Sequence, residues 1–259
     1  MIVDSVGENG INKSADVNTV KNRLVQLGFL QKSTDSSTVD VELIERIKLF
    51  QSIIRGNSSI SGDGKVDSMG YTHQWLNANN APVWTQLGDG STVNKVLGYY
   101  NSTKDEMDYY GTDWLISTIV KAAAIYSQNY LNSNVDASVM WVNDLSLSTG
   151  GSYPPHGTHQ TGLDVDVRLP KTNGESGGIT IASDEYDREA TREMLKAFKS
   201  CELVKSILFN DSVLIGESLC SYYTGHDNHF HVKIEPPSMG ELLSIIIPIS
   251  SSLDDSKYT

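Results

Sequence analysis

The chain has 259 residues, 39% of them hydrophobic and 20% charged, with a net charge of −12 at neutral pH. That is the make-up of a globular protein with room for one large domain, or a small one joined to a medium one. Thirty-two acidic against twenty basic side chains exclude a nucleic-acid partner, which needs clustered Lys and Arg, and disfavour an anionic membrane surface.

The opening segment "MIVDSVGENGINKSADV" has neither a basic n-region nor an apolar h-region, so no secretory signal peptide is expected. The first helix is expected in "VNTVKNRLVQLGFL", where Val17, Val20, Leu24, Val25 and Leu27 form an apolar stripe that stops at Gly28. The Ser/Thr/Asp-rich "QKSTDSSTVD" follows as a loop. A second helix, "VELIERIKLFQSIIRG", carries Leu43, Ile44, Ile47, Phe50, Ile53 and Ile54 on one face. The turn-rich "NSSISGDGKVD" then leads to a short third helix in "SMGYTHQWLN", where His73 reads as a packing or surface residue. Three such helices make a unit of roughly 70 residues, small but able to fold.

The helix ending "LVQLGFL", the "FQ" at Phe50 and Gln51, "GDGKVD" and "THQWL" together resemble the peptidoglycan-binding type 1 domain. The resemblance covers Gly10 to about Asn77 and implies a wall-binding module over residues 1–80. The glycine-containing turn usual before the second helix is replaced here by "STDSSTVD".

Residues 81–110 are polar and irregular and read as a linker together with a covering edge of the second domain. From 111 to 259 the expected elements are a strong helix, "TDWLISTIVKAAAIYSQNYL", capped at Thr112 or Asp113, and strands in "ASVMWVNDLSL" and "GLDVDVRLP". An amphipathic helix, "DEYDREATREMLKAFKSC", comes next, then strands in "VKSILFN", "SVLIGESL" and "HFHVKIE". The expected class is α+β with a central antiparallel sheet flanked by helices. "LLSIIIPI" is too short for a membrane span and contains Pro248. Cys201 and Cys220 have no metal-ligand spacing and either form one disulfide or remain buried thiols.

Five of the six histidines lie in two short stretches, "PPHGTHQTGLDVDV" (154–167) and "GHDNHFHVKI" (225–234). Strand alternation puts His229 and His231 on one face with Phe230 on the other, and puts Asp164 and Asp166 on one face of theirs. Laid side by side, these strands bring Asp166 against the two histidines, a donor set suited to a metal. Asp164 reads either as a carboxylate that orients a ligand histidine or as the partner of a cation such as Arg168. Tyr222 and Tyr223, just before the second stretch, are candidates for substrate or oxyanion contact, with packing as the plainer reading.

The pair "HGTHQTGLDVDV" and "GHDNHFHV" resembles the penicillin-insensitive murein endopeptidases, within the lysostaphin, D-alanyl-D-alanine and hedgehog-type zinc peptidases. Their pattern, HxxHQxGLDxD followed by GHDxHFH, is matched at every fixed position, including Gln160, a candidate to support a ligand or contact substrate, although resemblance outside the two motifs is faint. The resemblance implies one zinc ion per chain held by His159, Asp166 and His231, with His229, His226 and His156 as catalytic histidines. Some relatives carry a glutamate three residues before the last ligand as general base. That position is Asn228 here, so His229 is expected as the base, with His226 second.

The implied activity is hydrolysis of peptide cross-links in peptidoglycan, most directly the D-alanyl–meso-diaminopimelate bond. The alternatives are D,D-carboxypeptidase or L-alanyl-D-glutamate cleavage at the same site, or a non-catalytic zinc-containing wall-binding protein. The place of action is then the wall in the periplasm. It would be reached through a dedicated secretion system, as an antibacterial effector with an immunity partner, or by phage lysis; a processed housekeeping enzyme is the third case. The acidic charge favours the effector.

Overall fold

The computed structural model describes residues 1–31, 37–93, 95–102 and 108–243. Much of the loop expected at 31–40, the centre of "YYNSTKDEMDYYG" and the acidic tail "DDSKYT" lie outside these residues. The chain is a mixed α and β structure whose largest sheet has five strands.

A small ribbon of β1 (Val6–Gly7) and β2 (Lys65–Val66) stands beside α1 (Ser14–Gln26), α2 (Val41–Ile54) and α3 (Tyr71–Leu76). The apolar stripes read from the sequence are buried: Val17, Val20 and Leu24 of α1 pack with Leu43, Ile47, Phe50 and Ile53 of α2. α1 ends where expected, with Gly28 at φ +77° and a Cβ there 2.4 Å from Trp84 O, a position only glycine fills. Asp40 caps α2 by accepting from Leu43 N. His73 is buried and takes a hydrogen bond from Met69 N, the packing role expected of it.

In the 81–110 stretch, β3 (Trp84–Gln86) pairs antiparallel with β5 (Tyr110–Thr112), while β4 (Tyr99–Asn101) forms one edge of the main sheet. α4 (Asp113–Tyr126) is capped by Thr112, whose side chain accepts from Leu115 N, and runs on into a π-type turn at Ser127–Leu131. β6 (Met140–Val142), β7 (Asp164–Arg168), α5 (Arg188–Lys199), β8 (Val204–Leu208), α6 (Ser212–Gly216) and β9 (His229–Ile234) complete the chain. No helix among the described residues is long and apolar enough to cross a membrane.

The strand order is β4-β6-β7-β9-β8, antiparallel from β6 to β8. The expectation of an antiparallel sheet fails at the edge, because β4 pairs with β6 in parallel. A second correction concerns "SVLIGESL", expected as a strand: Ser212–Gly216 is helical. Asp211 supplies the reason, since its carboxylate accepts from Val213 N and Leu214 N and fixes a helical first turn. Five residues are too few for apolar spacing to tell helix from strand.

Each face of the sheet has a separate task. Val165 and Val167 of β7 and Phe230 and Val232 of β9 are fully buried, and Phe230 lies 6.0 Å from Phe198 of α5 and 6.3 Å from Phe209. This apolar layer under α5, against which α4 packs, fixes the register in which Asp166 faces His231 and Asp164 faces Lys233. A one-residue slip would send every apolar side chain to the wrong side. The opposite face is therefore held rigidly where Asp164, Asp166, His229 and His231 project. Cys201 and Cys220 are buried free thiols.

Candidate metal centre

Asp166 is the hub. It sits on the central strand β7, its side chain 5% exposed, and both of its oxygens face imidazoles. Oδ1 lies 3.3 Å from His159 Nε2 and 2.8 Å from His231 Nδ1. Oδ2 lies 3.5 Å from His229 Nε2 and 3.9 Å from His156 Nδ1. His159 Nε2 and His231 Nδ1 are themselves 3.2 Å apart. The candidate ligand atoms of His156, His159 and Asp166 also all lie within 4.8 Å of one another, a cluster that could hold a metal ion.

Each imidazole is oriented by a group behind it. His159 Nδ1 lies 2.8 Å from Leu145 O, which can only accept, so in the neutral ring Nδ1 carries the proton and Nε2 presents its lone pair. His159 adopts φ +61°, unfavourable for a residue with a Cβ and held here by burial and this hydrogen bond. His231 Nε2 donates to Asp164 Oδ1 at 3.1 Å, which turns Nδ1 toward Asp166. With Nε2 so committed, the close contact between Nδ1 and Asp166 needs a second proton on the ring or a cation between the two atoms.

The electrostatics agree. Burial opposes charge on His231, but its hydrogen bonds to Asp164 and Asp166 outweigh this and raise its pKa to about 9. His159 is raised too, burial being outweighed by the Asp166 carboxylate. Asp166 is held well below the usual carboxylate range, because the imidazoles outweigh its desolvation.

His229, His226 and His156 form a more open ring around this centre. The His229 side chain is 23% exposed, against 1% for His159. Its Nδ1 donates to Asn228 Oδ1 at 2.7 Å, leaving Nε2 unprotonated in the neutral ring and aimed into the site. Burial lowers the pKa of His229, so the neutral form prevails at pH 7. His226 Nδ1 donates to Thr224 O, and its ring stands 4.8 Å from that of His229. His156 is lowered by burial and by the neighbouring His159, with its Nε2 3.5 Å from Asp144 Oδ2.

The remaining sequence candidates divide. Asp164 orients His231, while Arg168 turns instead to Asn143 Oδ1. Gln160 ties two loops: its Oε1 accepts from Ile60 N and its Nε2 donates to Gly157 O. Tyr223 sets its ring edge against His226 at 5.3 Å, and Tyr222 is exposed.

Three contributors were not singled out from the sequence. Asp144 backs His156. Tyr153 donates to Asp108 Oδ2, lies 3.4 Å from Asp144 Oδ1, and sets its ring, tilted by 35°, 4.8 Å from that of His156. Ser58, from the loop between α2 and β2, donates to Asp164 Oδ1 at 3.0 Å. Of these, only the position of Tyr153, three residues before His156, left any local signal in the sequence.

A scan against protein-family models gives no match, and a search of the curated proteins gives none either.

Proposed function

We propose that this chain is a zinc-dependent peptidase that hydrolyses peptide cross-links of bacterial peptidoglycan. The observation that carries the reading is the triangle of His159 Nε2, Asp166 Oδ1 and His231 Nδ1, with sides of 3.3, 2.8 and 3.2 Å. Tetrahedral coordination at zinc–ligand distances of 2.0–2.2 Å requires donor–donor edges of roughly 3.3 Å. Two imidazole nitrogens and one carboxylate oxygen, three protein ligands in all, are the donor chemistry of a catalytic zinc site. His156 is the weaker third donor, since its Nδ1 stands 3.9 Å from Asp166 and its other nitrogen faces Asp144. A bound zinc would polarise a carbonyl and acidify a water.

The protein's own groups divide the rest of the work. His229, neutral and with Nε2 directed inward, takes the proton of the attacking water. That water oxygen bonds to the acyl carbon, the carbon–nitrogen bond breaks, and the departing amine receives the proton now carried by His229, directly or relayed through His226, whose ring stands 4.8 Å away. Asp144 keeps His156 turned toward the site, and Asn228 keeps His229 in the productive tautomer. The two histidine motifs, which resemble those of murein endopeptidases, favour the D-alanyl–meso-diaminopimelate bond. The helices before residue 80 favour a wall-binding role for that part of the chain, and the place of action is then the periplasmic wall.

Incubating an isolated tetrapeptide-linked muropeptide dimer with zinc-loaded protein tests this directly. Two tetrapeptide monomers are the expected product. A pentapeptide muropeptide is run alongside: release of free D-alanine from it would reassign the activity to a D,D-carboxypeptidase, and cleavage after L-alanine in either substrate to an L-alanyl-D-glutamate endopeptidase. Both substrates intact in the presence of bound zinc would sink the enzymatic reading.

A further inference from the structure

The segment Asn57–Ile60 comes from the N-terminal part of the chain, yet it lies along the loop that carries the first histidine pair. Ser59 Oγ donates to Gly157 O, Ile60 N to Gln160 Oε1, Gln160 N to Ser58 O, and Thr161 Oγ1 to Asn57 O. The Ser58 hydroxyl reaches further, donating to Asp164 Oδ1, the same oxygen that receives His231 Nε2–H. Asp164 is fully buried, and its other oxygen, Oδ2, has no hydrogen-bond partner. A buried carboxylate with one oxygen unsatisfied depends heavily on the donors at the other. Ser58 is one of only two side chains that hydrogen-bond to Asp164 among the described residues.

From this geometry we infer that Ser58 is a positioning residue for the metal centre. Acting through Asp164, it fixes the ring of His231 so that Nδ1 faces His159 and Asp166. The inference rests on the proposed metal site but assigns the N-terminal part of the chain a second task. Besides any affinity for the wall, it completes the support of a ligand more than 170 residues away in sequence. The hydroxyl holds the carboxylate in place, and the carboxylate holds the imidazole. Groups that orient ligand histidines in this way typically change metal affinity ~10–100-fold when removed. Ser58 stands one bond further out, so a loss of about tenfold is expected.

The test uses the full chain with zinc and cobalt(II) as probes, measuring affinity by competition with a chromophoric chelator and geometry by the cobalt d–d spectrum. Ser58→Ala should weaken zinc binding about tenfold and shift the cobalt bands. Ser58→Thr, which keeps the hydroxyl, should restore both. Ser59→Ala, which removes a neighbouring contact to the same loop, should leave both within about twofold, as expected for a side chain outside the ligand support. In an Asp164→Asn background the Ser58→Ala effect should fall below about twofold, because the two groups act in series. This cycle separates orientation of His231 from general loosening of the fold. Unchanged affinity and spectrum in Ser58→Ala, or an undiminished effect in the Asp164→Asn background, would overturn the inference while leaving the metal site standing. Failure of the parent to bind either ion would overturn both.

Discussion

Replacing Asp166 by asparagine keeps the size and shape of the side chain but removes the charge on which the histidines converge. Oδ1 of Asp166 is the shared vertex of the 3.3 Å contact to His159 and the 2.8 Å contact to His231. Structural zinc sites bind with about 10–16 kcal/mol over four ligands, so one protein ligand is worth about 2.5–4 kcal/mol. Loss of the carboxylate should therefore weaken zinc binding by roughly 70- to 900-fold. Chelator competition at pH 7.5 measures this, with circular dichroism to show that Asp166→Asn keeps the fold. The apolar face of β7 is untouched by the change, so the sheet should persist. An affinity within threefold of the parent, in a folded variant, would mean that Asp166 is not a ligand and that the triangle has been misread.

His229→Ala should retain zinc to within about tenfold while turnover of the muropeptide dimer falls by ~10²–10⁴-fold, the usual worth of a general base; full activity would remove His229 from the mechanism. Asp211 offers a stability test away from the site: buried, it accepts from Arg188 and caps α6. Burial opposes its ionisation, but Arg188 and the cap hydrogen bonds outweigh this and lower its pKa, so its contribution is full above the unfolded value and is lost as pH falls through the folded one. Asp211→Ala should cost about 2–4 kcal/mol at pH 7 and distinctly less near pH 3, read from urea unfolding; equal losses at both pH values would contradict the pairing. Because Cys201 and Cys220 are free, dithiothreitol should leave the melting temperature unchanged, and a drop of several degrees would reveal a disulfide.

How far these features could be read in advance depends on how local their causes are. "HFHVKI" alternates strictly, so the shared face of His229 and His231 was legible, as was Asp166 opposite them, because β7 carries its own apolar side. Helices with ten or more residues and a side-chain cap, such as α4 and α5, announced themselves. The parallel pairing of β4 had no such signal: three residues in a polar stretch acquire strand geometry from β6 on one side and a bridge to Gly90 on the other. α6 was misread because Asp211, rather than apolar spacing, decides its conformation. Ser58 reaches the site through a contact that spans distant parts of the fold, and Asp144 through the bend of the chain back to His156; an isolated serine or aspartate carries no trace of either. Gln160, part of the motif itself, bonds to Ile60 N and Gly157 O, contacts between loops that the motif alone does not reveal.

The most direct test of the central claim is digestion of purified Gram-negative sacculi, with chromatography and mass spectrometry of the released muropeptides. Parallel reactions would contain zinc-loaded protein, chelator-treated protein, and chelator-treated protein with zinc restored. The account predicts that cross-linked dimers disappear and tetrapeptide monomers rise in the first and third reactions only. An unchanged dimer fraction with zinc bound, or cleavage that survives complete removal of the metal, would contradict it.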